Sequence, residues 1–168
     1  MGVRYSTSFT SVTTAATADT ANLANTSYGC IIQGGSGTQR LNLIEVYMGG
    51  EASASSAPQI MVLGRDSTVG GTVVAGSTRT AALDASSTAP GTLPVTGNSA
   101  TTLPQRSSTL HLLHLSFNAY GGIVRWVSRQ GEEPSVVGNT ASLGEVSLSA
   151  YTGTTAGQIS GHVLYEVV

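Results

Sequence analysis

The chain contains no lysine and one cysteine, and at 10% its charged residues fall well short of the ~25% of an ordinary globular protein. Seven arginines face nine acidic residues with no run of three like charges, so no clustered basic field is available for phosphate, and nucleic acid is excluded as an expected partner. Cys30, alone within Gly29-Cys30-Ile31-Ile32, has no partner for an internal disulfide and reads as a small buried hydrophobe. No stretch approaches the roughly 20 apolar residues of a membrane-spanning helix, and Met1 to Tyr5 lack the apolar run of a secretory signal. The expectation is therefore a protein folded in a cytoplasm with no membrane partner, in which Asn25-Thr26-Ser27 matches a glycosylation sequon by chance. Helical signal is missing too: the one candidate, 13–25, alternates Ala and Thr without an apolar stripe.

Small neutral residues fill the space left by these absences. Ser (22), Thr (22), Gly (21) and Ala (18) supply 83 of 168 residues, and such a surface is inexpensive to desolvate and suits packing against other subunits. Length allows one domain with a substantial core. Strand signals bounded by Gly, Pro, Ser and Asn recur at 3–10, 26–33, 40–48, 59–65, 110–117, 122–128, 144–151 and 160–167. The last two alternate cleanly, Val146, Leu148 and Ala150 against Glu145, Ser147 and Ser149, then Val163, Tyr165 and Val167 against His162 and Glu166. Runs 41–48 and 110–117 place hydrophobes at both odd and even positions, which predicts cover on both faces. Short connections suggest hairpins joining 41–48 to 60–63, 110–117 to 123–127 and 145–151 to 161–167. About eight antiparallel strands in one domain predict an all-β, two-sheet sandwich, best a jelly roll, with a β-barrel as the alternative.

Two segments stand outside that frame. Residues 1–25 read as an N-terminal arm, although Val3, Tyr5 and Phe9 alternate with polar residues. Residues 70–109 form a long insertion of Gly, Thr, Ser, Ala and Pro that is expected to project or wrap a neighbour, with 80–84 able to add an edge strand. Removal of 1–12 or of 70–109 is expected to leave the sandwich folded.

Catalytic patterns are weak. Gly34-Gly35-Ser36-Gly37-Thr38 misses the nucleophile elbow and lacks the lysine and helix of a phosphate loop, so it is a turn. Glu132-Glu133, between Gly131 and Pro134, reads as a solvated turn and not a glycosidase pair. His111 and His114 have H-x-x-H spacing, but strand residues three apart point to opposite faces, so no shared metal is expected. No cofactor and no enzyme activity are expected. Among aromatic residues Trp126 is placed in the core, while Tyr120 and Tyr151, near turns, are placed at an interface.

The succession Arg40 to Gly50, Ile60 to Asp66, Phe117-Asn118-Ala119-Tyr120-Gly121-Gly122 with Arg125-Trp126, and a last strand Gly161-His162 to Glu166 resembles small β-sandwich virion proteins of tailed bacteriophages. In particular it resembles the capsid decoration, or cement, proteins, over roughly 26–67 and 110–168. The resemblance implies attachment to the outside of an assembled capsid, commonly as a homotrimer, with the major capsid protein as partner and the virion exterior as location. Arg4, Tyr5, Phe9, Arg79, Arg106, Tyr120 and Tyr151 are the expected interface residues. The rival reading is a carbohydrate- or receptor-binding sandwich of a phage tail or fibre, marked by an exposed aromatic cluster over a groove.

Overall fold

The computed structural model describes residues 2–13, 28–51, 58–68, 73–74, 79–86, 94–97, 99–100, 105–118, 120–138, 144–151 and 157–168. These contain no helix. Eight long strands account for the predicted ones: β1 (Val3–Thr13), β2 (Tyr28–Gln33), β3 (Arg40–Glu51), β4 (Pro58–Thr68), β9 (Gln105–Asn118), β10 (Tyr120–Val127), β12 (Glu145–Tyr151) and β13 (Gln158–Val167). Five short ones join them: β5 (Val73–Val74), β6 (Arg79–Ala82), β7 (Val95–Gly97), β8 (Ser99–Ala100) and β11 (Ser135–Val137). Sheet A has the order β10-β3-β13-β1-β6, with β11 also on β3, and sheet B has the order β7-β2-β12-β4-β9; β5 and β8 make a separate ribbon. All pairings are antiparallel, and the two sheets pack as a sandwich around one core.

None of the three expected hairpins forms. β3 and β4, β9 and β10, and β12 and β13 each lie in opposite sheets, so those connections cross the sandwich. Alternation specifies which face of a strand is buried, but two strands in facing sheets satisfy it as well as two neighbours in one sheet. The β9–β10 crossing is a tight corner. There the Tyr120 N–H donates to Asn118 Oδ1 at 2.9 Å, Gly121 takes φ +64°, and a Cβ on Gly122 would overlap the Asn118 backbone.

Runs 41–48 and 110–117 also differ from expectation. Their mixed parity comes from β-bulges and not from two-sided burial. In β3 the pairing with β13 steps from Leu43↔Tyr165 to Glu45↔Leu164, which leaves Ile44 as the extra residue; Leu41 and Leu43 before it and Val46 and Met48 after it all point inward. In β9 the pairing with β4 steps from Leu63↔Leu113 to Gly64↔His111, which leaves Leu112 extra. A plain strand would have to expose one leucine of His111-Leu112-Leu113-His114; the bulge packs both against the core and turns both histidines outward. The opposite-face placement expected for His111 and His114 is thereby corrected. Strands buried on both faces do occur, in sheet B, where Ile31, Val62 and Ser147 are as inaccessible as the inner Cys30, Met61 and Leu148.

Residues 3–13 are no arm. β1 lies inside sheet A between β13 and β6, with Tyr5 and Phe9 in the core at 6% and 1% exposure, so neither is available to a partner. Tyr5 stacks on Tyr165 at 5.9 Å, and burial pushes the Tyr165 hydroxyl up to about 12. Phe9 reaches across to sheet B. A Cβ built on Gly29 of β2 would lie within 2.7 Å of three carbons of the Phe9 ring, and Gly161 borders the ring from β13. Residues 14–27 lie outside the described residues. Parts of 70–109 join the sandwich: β6, the edge strand anticipated at 80–84, extends sheet A beside β1, and β7 extends sheet B beside β2, while β5 and β8 pair only with each other. A chain of hydroxyls, Thr7 to Thr80 at 2.8 Å and Thr80 to Thr96 at 2.7 Å, ties the two edges together.

Candidate functional site

The outward face of sheet A is set by three cross-strand rows. Ile123, Gly49 and Ser160 form the first; Arg125, Tyr47, His162 and Ser8 the second; Val127, Glu45, Leu164 and Ser6 the third. Adjacent rows are two residues apart along each strand and so share one face. At their centre Glu45 Oε1 accepts from Arg125 Nε at 3.0 Å and Oε2 from Arg125 Nη2 at 2.8 Å, a bidentate pair, while His162 Nε2 lies 3.3 Å from Oε1. The Arg125 hydrogen bonds hold the Glu45 carboxyl below its ordinary range, against partial burial and with help from His162; the same pair raises the Arg125 guanidinium. The Tyr47 ring stacks on the His162 imidazole at 5.2 Å and 4°. Beside that stack, Gly49 and Gly50 floor an open cleft of about 430 Å3, with Ile123, Ser160 and the Tyr47–His162 pair on its sides.

The cleft runs out to the β10–β11 edge. Four of the six large hydrophobics exposed among the described residues stand on that edge: Tyr120 (56%), Ile123 (62%), Val127 (49%) and Val137 (48%). Such a cluster on an edge strand is the composition of a contact surface, since an isolated monomer usually blunts its edges with charge. Three charged side chains of β3 flank it: Glu45 is paired with Arg125, while Arg40, opposite Val137, and Glu51, opposite Tyr120, are exposed at its two ends. Docking over its middle, at Ile123 and Val127, would desolvate a charge pair that is already compensated, leaving Arg40 and Glu51 at the rim.

The expected interface residues do not converge. Tyr120 is exposed at the β9–β10 corner, but Arg4 stands on β1, across the sheet, 3.8 Å from Glu166. Tyr5 and Phe9 are core residues. Arg79 lies in β6 opposite Ser8, Arg106 in β9 opposite Asp66, and Tyr151 in β12 opposite Ile60; their side chains lie outside the described residues. Trp126 packs against the core from β10, as expected. Ile123, Val127, Val137 and the Glu45–Arg125–His162 cluster were not anticipated. One signal was present: 123–127 is apolar on both faces directly after a glycine corner, the pattern of an edge strand with a sticky outer side.

Burial pushes the Cys30 thiol up to about 12 and leaves no reactive thiolate. Glu133 accepts from the Gly131 N–H at 2.9 Å within an exposed turn. The 34–38 stretch is a turn closed by Gln39, whose N–H donates to the Ser36 carbonyl at 3.3 Å. Among the described residues no three His, Cys, Asp or Glu side chains group as a metal site. Set against protein-family models, curated proteins and solved structures, the chain matches none.

Proposed function

We propose that this chain is a virion structural protein of the capsid-decoration type, which attaches as a homotrimer to the outside of an assembled phage capsid and bridges neighbouring major capsid subunits. The observation that carries the reading is the β10–β11 edge with its four exposed hydrophobics beside the bidentate Glu45–Arg125 pair. Topology supports it as well. Taken in chain order, the eight long strands lie as 1-8-3-6 in one sheet and 2-7-4-5 in the other, an order that supports the jelly-roll reading, an architecture used by viral shells and by lectins alike. The role needs no cofactor and no catalytic residue. Attachment is assigned to the sandwich surface and not to a wrapping N-terminal arm, because residues 3–13 are committed to sheet A.

The test is co-sedimentation with capsids stripped of this protein. Ile123→Glu combined with Val127→Thr, which puts no second carboxylate opposite Glu45, should weaken attachment by at least about tenfold, the loss of one interfacial hot spot, while shifting the unfolding temperature little. Retained binding and retained protection of particles against heat would refute this surface. A second reading, recognition of a glycan by a tail or fibre protein, is favoured by the Tyr47–His162 stack beside the glycine-floored cleft. It predicts instead that Tyr47→Ala abolishes glycan retention while capsid attachment is absent from the outset.

A further inference from the structure

The bulge in β9 does more than bury two leucines. His114 lies opposite Val62 and His111 opposite Gly64, two residues apart on β4, so both imidazoles rise from the outward face of sheet B at its edge. Their ring centres are 4.6 Å apart with planes 30° from parallel. In a regular strand residues three apart would stand roughly 10 Å apart along the chain, on opposite faces. His114 is exposed and His111 is half-buried.

We propose that His111 and His114 together bind one first-row divalent transition ion, of the zinc, nickel or copper class, through one imidazole nitrogen each. The separation fits. A nitrogen coordinated at about 2.0–2.1 Å sets its ring centre about 3.2 Å from the ion, so two rings on one ion, at a right to tetrahedral angle, lie about 4.5–5.2 Å apart. Imidazole is a ligand of choice for these ions and a poor one for magnesium or calcium, which take oxygen. Among the described residues no third His, Cys, Asp or Glu groups with the pair, and with two protein ligands the affinity is that of a two-ligand site. The site lies on the outward face of sheet B and the attachment surface on the outward face of sheet A, and the two assignments are tested separately.

Isothermal titration calorimetry of the intact chain with nickel or zinc chloride at neutral pH tests it. One ion per chain is expected, no binding of magnesium, and loss of the signal under mildly acidic conditions, where protons compete for the nitrogens. His111→Asn and His114→Asn should each weaken binding by at least about tenfold, and His162→Asn should not. Thermal unfolding is the second readout. At roughly a hundredfold excess of ion over Kd the intact chain should melt about 5 °C or more higher, and the His114→Asn variant, altered at an exposed position, should not. Binding that survives either replacement, or that is lost in His162→Asn, would overturn the assignment, as would a chain that takes up no transition ion.

Discussion

Replacing Phe9 by alanine separates two pictures of the N-terminus. An arm residue would change stability by no more than about 0.5 kcal/mol, as surface substitutions do. Phe9 is 1% exposed, however, and its ring fills the gap that Gly29 and Gly161 leave between the sheets. Those neighbours have no side chains with which to refill the cavity, so the loss should be about 3–5 kcal/mol, or roughly 6–20 °C in unfolding temperature for a chain of this size. Gly29→Ala attacks the same contact from the other side. Its Cβ would sit within 2.7 Å of three ring carbons, closer than packed atoms tolerate, and the overpacking should cost about 1–3 kcal/mol. With the ring removed, the same alanine should cost far less, giving a coupling of about 1 kcal/mol or more in a double-mutant cycle. Urea unfolding followed by the fluorescence of Trp126, the single tryptophan, and by far-UV circular dichroism measures all four variants. Truncation of residues 1–12 should prevent stable folding. A Phe9→Ala loss below about 1 kcal/mol, or a Gly29→Ala cost equal in both backgrounds, would refute the packing argument.

Two further outcomes follow from the titrating groups. Glu45 has its folded pKa lowered, so its contribution is complete above the ordinary glutamate value of 4.5 and is lost as pH falls below that value and through the folded pKa. Thermal unfolding across the acid range should therefore fall more steeply for the wild type than for Glu45→Gln, and identical slopes would remove the ion pair from the account. Cys30, buried and with its thiol pushed up to about 12, should stay unlabelled by a thiol reagent in the native protein and react fully once urea unfolds the chain. Stoichiometric labelling under native conditions would contradict its placement in the core.

Eight strands were legible because each carries enough alternating residues to declare a buried face, as 145–151 and 158–167 do most clearly. β5, β7, β8 and β11 were not, since two or three residues hold no period. The two bulges were written into the chain as a change of parity, from Leu41 and Leu43 to Val46 and Met48, and again across Leu112-Leu113, a signal that also fits two-sided burial until the partner strand is known. Little of the candidate site was legible beyond Tyr120. Glu45 meets Arg125 across 80 residues of sequence and His162 across 117, and nothing local in any of the three segments points to the other two.

Sequence alone determined the all-β character, the strand positions and the low-charge, hydroxyl-rich surface, because side-chain periodicity and composition are local properties. Which strands are neighbours was decided only in three dimensions. Every residue on an inner face meets its burial requirement equally well in either sheet, so the crossing connections, the internal position of β1 and the shared face of His111 and His114 depend on register between segments distant in the chain.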